Sequence, residues 1–391
     1  VRARKDVSFG TAFNPTYTVG DIDTASVTWR RLTYGHKKGE ELTASIRFLT
    51  PNGEVSFSGV FADYASKRYS VLPPRFEILA GEDIRLSHRD LAIAPASGGD
   101  LRLISGGDIG APAVTTRPKI IVSDVEPTLA YYDVADFFGD NQDISEEGVG
   151  RGGALSAGAL DEVLFMEPQR AKAHADTPVH AGDTEPVEIR ADGNIEELVI
   201  YTSKFTEIGS GGDIRGVHFV GQNVGPEDTT RVVARGDISL ASAKAPVVVR
   251  SVENDTFFRR SGLHFGGPGH FLVQAGGSID LGITQGILTV GNSYNSALGL
   301  SSTEVPKSSL CIVSGIYKEI KVAEIWSFFE QLKVHGDLLS ATMQQQGSEG
   351  VANLIGQIEG DTIAPFFDGS ILGMGDIRMT SSQVSAQGKS S

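Results

Sequence analysis

A short glycine-led triplet recurs along this chain and narrows the folds open to it. Gly is followed by Asp, Asn or Ser and then by Ile or Leu at Gly20-Asp21-Ile22, Gly99-Asp100-Leu101, Gly107-Asp108-Ile109 and Gly193-Asn194-Ile195. The same pattern stands at Gly212-Asp213-Ile214, Gly236-Asp237-Ile238, Gly277-Ser278-Ile279 and Gly375-Asp376-Ile377. Lys5-Asp6-Val7 and Glu82-Asp83-Ile84 are near-copies. Several copies run on into alternating apolar residues, as in "DIRLS", "DLRLIS" and "DISLAS". The steps from 83 to 100, 194 to 213 and 213 to 237 are 17, 19 and 24 residues, and the 41-residue step from 237 to 278 reads as two of them. A period of that length is too long for a heptad and too short for a domain. It matches one coil of a stacked solenoid.

The alternation turns Ile, Leu and Val inward and leaves the intervening residues outside. Glycine is expected at a turn whose backbone other residues would strain to adopt. The Asp or Asn after it is expected to cap that turn through its own backbone. Strands of successive coils lie about 4.8 Å apart and satisfy each other's hydrogen bonds. The expected architecture is mainly β, a parallel β-helix with loop excursions. The 47 glycines among 391 residues, against 16 prolines, agree with many tight turns.

Residues 1–110 read as coils carrying a decorated insertion at about 31–75. Residues 111–185 form an acidic, Gly-rich excursion, and coils resume over 186–315. Residues 316–365 read as a helical insertion or cap, and 366–391 as a returning coil. Val322, Ile325, Trp326, Phe329 and Leu332 make a helical stripe, with Gly336 as its stop. Val351, Leu354, Ile355 and Ile358 mark a second short helix. The ends of such a stack expose strand edges, and the helical region is a candidate to cover one.

A net charge of −15 argues against a nucleic-acid partner, which needs clustered Lys and Arg. No apolar run approaches the ~18 residues that cross a bilayer, and no signal-peptide pattern opens the chain. The expectation is an internal or C-terminal piece of a longer protein. The lone Cys311 reads as a small buried hydrophobe. Asp136, Asp140, Asp143 and Glu146 are candidate calcium ligands, but their spacing is not that of an EF-hand and suits a solvated acidic loop. His174 and His180, six apart, make a poor metal pair without nearby Cys. Tyr131, Tyr132, Phe137 and Phe138 either cover the core or form a binding patch. Arg235-Gly236-Asp237 has the form of a receptor-binding tripeptide. Its Gly and Asp are already accounted for by the repeat. No Walker loop, HExxH, GxSxG or CxxC is present, and no catalytic residue, cofactor or structural metal is expected.

The segments "HAGDTEPVEIRADGNI", "SKFTEIGSGGDIRGVHFVGQNVGPEDTTRVVARGDISL", "GPGHFLVQAGGSIDLGITQGILTVGN" and "GDIRMTSSQVSAQG" together resemble the filamentous haemagglutinin family, large exoproteins of Gram-negative bacteria. The likeness is to its C-terminal associated region and covers roughly 76–110 and 180–391. It implies a right-handed parallel β-helix in a rod at the outer-membrane surface or released from it. It also implies export by two-partner secretion, through an outer-membrane partner that recognises an N-terminal domain without a signature here. The implied role is structural or adhesive: attachment, cell–cell contact, biofilm or filament formation by self-association. The binding partner would be a host or bacterial surface receptor or a glycan. The alternatives are a β-helix carbohydrate-active enzyme, either a polysaccharide lyase or a hydrolase, and a stalk for a C-terminal effector. For His180, inside "HAGDTEPV", the resemblance suggests a structural role.

Overall fold

The computed structural model describes residues 1–9, 45–57, 70–87, 91–93, 96–111, 117–122, 177–242, 247–249, 257–259, 261–291, 308–315, 322–363, 375–380 and 384–386. Among them the chain is mainly β, with three parallel sheets, one antiparallel pair of strands and one long helix. Sheet I holds eight strands of five to seven residues, from Ser45–Thr50 through Arg75–Ala80 and Val187–Ala191 to Ser308–Ser314. Sheet II holds nine strands of two or three residues, from Val7–Phe9 through Ile84–Leu86 and Ile214–Arg215 to Ile377–Arg378. Sheet III holds eight, from Ser70–Leu72 through Lys119–Val122 and Val199–Thr202 to Val384–Ala386.

From residue 75 the chain visits the sheets in the fixed order I, II, III, I. Each strand but the last of its sheet pairs in parallel with the strand of that sheet one round earlier and one round later. Equivalent residues therefore stack in columns. Ile195, Ile214, Ile238 and Ile279 are mutual partners in sheet II, and Ile200, Phe219, Leu263 and Ile287 in sheet III. Ile189, Ile208, Val232 and Val273 do the same in sheet I. Inward members of all three sheets join one apolar core. Burying each large aliphatic side chain contributes about 1.5–3 kcal/mol, so the stack is held by many similar increments.

The residues before the I-to-II corner are small, Ala80, Ser105, Ala191, Ser210, Ala234, Ala275 and Ser314, because two sheets converge there. The serines add a tie: Ser105 Oγ accepts from the Gly107 N–H at 3.0 Å, and Ser210 Oγ from the Gly212 N–H at 3.2 Å.

The structure revises several sequence expectations. Ser45–Thr50 and Val55–Phe57, within the stretch read as an insertion, pair in register with Arg75–Ala80 and Ile84–Leu86 as ordinary members of sheets I and II. Lys119–Val122, inside the stretch read as an excursion, is a strand of sheet III. The 41-residue step from Asp237 to Ser278 is one round, not two. The antiparallel strands Val247–Val249 and Phe257–Arg259 fall within it. The helix Val322–Ile358 continues through Gly336, and its break lies at Gly347, φ 67. It does not close the C-terminal end of the stack: Ile377, Met379 and Val384 remain 44 %, 54 % and 41 % exposed.

Candidate functional site

Two charged constructions stand out, one on the I-to-II corner and one on the outer face of sheet I. At the corner the repeat residues form a side-chain ladder. Asp83 Oδ1 accepts the Asp108 N–H at 2.9 Å, Asp108 Oδ1 the Asn194 N–H at 2.6 Å, and Asn194 Oδ1 the Asp213 N–H at 2.8 Å. Asp213 Oδ1 then accepts the Asp237 N–H at 2.7 Å, Asp237 Oδ1 the Ser278 N–H at 2.7 Å, and Ser278 Oγ the Asp376 N–H at 3.2 Å. Each cap therefore serves the next round rather than its own turn, which corrects the local capping expected from sequence. The reason is geometric: rounds stack closely enough for a short side chain to reach the equivalent amide above it.

The ladder also explains the glycines, and not by backbone conformation. Among Gly107, Gly193, Gly212, Gly236, Gly277 and Gly375 none has a positive φ. A Cβ on Gly107, Gly193, Gly212, Gly236 or Gly277 would instead overlap the capping oxygen of Asp83, Asp108, Asn194, Asp213 or Asp237 in turn. The exception supports the rule. Glu54 occupies the ladder position but sends its carboxylate to Ser56 and Arg85, and the next round carries Glu82 where every later round carries Gly.

Stacked carboxylates repel unless neutralised. Arg85 and Arg215, two residues after Asp83 and Asp213, take the second carboxylate oxygen of each. Asn194 and Ser278 interrupt the run with neutral caps.

Gly99-Asp100 does not join this ladder. Asp100 opens a strand of sheet I, at the III-to-I corner, and belongs to the second construction. There Lys204, 1 % exposed, sets its Nζ 2.7 Å from Asp183 Oδ2 and 3.5 Å from Asp100 Oδ1, and donates to the Gly99 carbonyl at 3.1 Å. The buried His180 ring lies beside it, Nδ1 3.7 Å from Asp183 Oδ2. One ammonium thus ties three successive III-to-I corners, at residues 99–100, 183 and 204. Burial alone would raise the Asp183 carboxyl. Its contacts with His180, Lys204 and the Glu185 N–H outweigh that and hold it well below the usual carboxylate range. Asp100 moves the other way, because burial exceeds the attraction of Lys204.

Asp100 and Asp183 also line a groove of about 730 Å³ with Arg47, Arg75, Glu77 and Arg102. Along its floor runs an alternating column. Arg47 bonds Glu77, Arg102 reaches Glu77 Oε1 at 3.2 Å, and Arg102 Nη2 lies 2.9 Å from Glu188. The hydrogen bond to Glu188 raises the Arg102 pKa despite partial burial. Across the molecule, buried Arg117 donates to the Gly216 carbonyl at 3.0 Å and to Ser261 Oγ at 2.6 Å. Burial pushes its pKa down, against the pull of Glu197.

The acid limb of stability follows from these signs. A carboxyl with a depressed folded pKa stabilises above its unfolded value near 3.9 and loses that contribution as pH falls through the folded one. Asp183 does so. Asp100, raised, gains slightly on protonation before that point is reached. The expected result is that Asp183→Asn lowers stability at pH 7 and flattens its fall below about pH 4, measured by urea unfolding across pH.

Arg235-Gly236-Asp237 lies flat on the stack. The Arg235 N–H donates to Ser210 O and the Gly236 N–H to Gly212 O, while the side chain of Asp237 serves Ser278. Cys311 is buried, which pushes its thiol up to about 11. Gly20, Asp21, Tyr131, Tyr132, Asp136, Phe137, Phe138, Asp140, Asp143, Glu146 and His174 lie outside the described residues. Among the described residues no group of three His, Cys, Asp or Glu is placed to hold a metal, and no helix is long and apolar enough to cross a membrane.

Sequence reasoning missed Lys204, Asp183 and Arg117. Nothing in a single sequence pairs residues so far apart, and Lys204 sits in an unremarkable polar stretch. No protein-family model matches the chain, and neither a curated protein nor a solved structure does.

Proposed function

We propose that this chain is a rod-forming segment of a large secreted surface protein, a right-handed parallel β-helix whose work is structural or adhesive. The observation that carries the reading is the unbroken stacking of the three sheets. Columns of equivalent residues persist in register although the number of residues between successive strands of a sheet varies widely. Such a stack is stiff because every inner strand is bonded on both sides. The likeness of its segments to the filamentous haemagglutinin family supports a location of the rod outside a Gram-negative cell. Its loops would be presented to a surface receptor or glycan. The test is attachment. Beads coated with the chain should bind host or bacterial cells and be displaced by free chain, and coated beads that bind no better than bare ones would refute the adhesive role.

A second reading, a carbohydrate-active enzyme, draws on one observation. Asp100 and Asp183 line the same groove with their pKa values moved in opposite directions, as an acid and its ionised partner require. Release of reducing ends or unsaturated sugars from acidic polysaccharides, lost in Asp100→Asn, would establish it.

A further inference from the structure

We infer that the C-terminal end of the stack is a docking face for one more coil of the same chemistry, one that opens with Gly–Asp, Asn or Ser–aliphatic. The inference rests on the stacked-sheet reading above and adds a partner to it.

Three inward positions of the last round are uncovered. Ile377, Met379 and Val384 are 44 %, 54 % and 41 % exposed, whereas Ile279, Leu281 and Ile287, their counterparts one round back, are each 0 % exposed. The strands Ser308–Ser314, Ile377–Arg378 and Val384–Ala386 are each the last of their sheet and pair on one side only. The ladder also stops unfinished. Asp376 receives its cap from Ser278, and its Oδ2 takes Arg378 at 3.1 Å. Among the described residues no hydrogen bond reaches its Oδ1, the atom that caps the following amide in the inner rounds.

The inner rounds specify what fits. An occupant must present a backbone N–H to Asp376 Oδ1, an aliphatic side chain over Ile377, and a glycine just before the capped residue, where a Cβ would strike the carboxylate. A second copy of this chain fails that requirement. Its first round offers Lys5-Asp6-Val7, with lysine at the glycine position. A polypeptide coil with the Gly–Asp–aliphatic corner satisfies all three.

The probe is a labelled synthetic peptide copying Thr229–Leu240, titrated against the full chain and followed by anisotropy and by hydrogen exchange. The expected result is saturable binding that slows exchange in Ser308–Ser314 and Ile377–Arg378, the end strands of the two sheets to which Thr229–Ala234 and Ile238–Ser239 belong. It should weaken about tenfold in Asp376→Ala, consistent with loss of one charge-assisted hydrogen bond. A peptide with valine for its glycine should not bind. No binding at about 1 mM, a concentration that detects even weak association, overturns the inference. So does equal binding of the valine peptide, or self-association of the chain that blocks the end and survives Asp376→Ala. Exchange protection of the inner strands over 187–281 is read in the same experiment. Its loss would count against the stacked-sheet reading itself, and its retention without peptide binding against the docking face alone.

Discussion

Gly236→Ala should cost about 2 kcal/mol, and Asp213→Ala about the same, yet the double variant should cost little more than either alone. The Cβ added at Gly236 overlaps Asp213 Oδ1. That oxygen sits on a movable side chain, but moving it surrenders the bond to the Asp237 N–H, and the Gly212 carbonyl oxygen, 3.0 Å from the added Cβ, must also give a little. A hydrogen bond to a charged group contributes about 1.5–3 kcal/mol. Both substitutions destroy the same contact, so their coupling energy should be about 2 kcal/mol, well above the few tenths expected of independent sites. Urea unfolding of the four proteins in the cycle measures it. Additive losses would show that glycine is needed at this corner for its backbone alone.

The second large effect lies at Lys204. Lys204→Met removes the ammonium from a site only 1 % exposed and leaves Asp183 and Asp100 without it. Breaking a buried pair in this way costs about 3–5 kcal/mol, whereas removing all the charges together is far milder. Lys204→Met with Asp183→Asn and Asp100→Asn should therefore recover most of the loss. Hydrogen exchange should show the single variant opening first over residues 177–187, where Asp183 no longer holds the returning chain against the Gly99 corner. Uniform weakening of all three sheets would instead mean that Lys204 serves general packing.

Most of the architecture could be read from the alternating apolar residues and the repeated corner. Ile195, Ile214, Ile238 and Ile279 are core residues of successive rounds, as the triplet implies. The triplet is not sufficient by itself. Gly336-Asp337-Leu338 matches it and lies within a helix, because no alternating strand follows. Gly99-Asp100-Leu101 matches it and lies on another corner, so the step from 83 to 100 spans only part of a round; the full round runs from Asp83 to Asp108. The roles inside the triplet were also hidden. A capping side chain looks the same in sequence whether it serves its own turn or the next one. The Lys204 cluster was not legible because its partners are joined by the return of the chain after an interruption, and neither spacing nor periodicity records where a chain returns.

The ladder bond from Ser278 to Asp376 spans 98 positions, and the one from Asn194 to Asp213 spans 19. The geometry at the two sites is alike, and the closure entropy of the longer connection is greater by only about 1–2 kcal/mol. Growth at a corner is therefore nearly neutral to the stack. Over evolutionary time such a molecule can gain or shed whole side-branches, each exploring its own surface, while the trunk that carries them keeps its alignment.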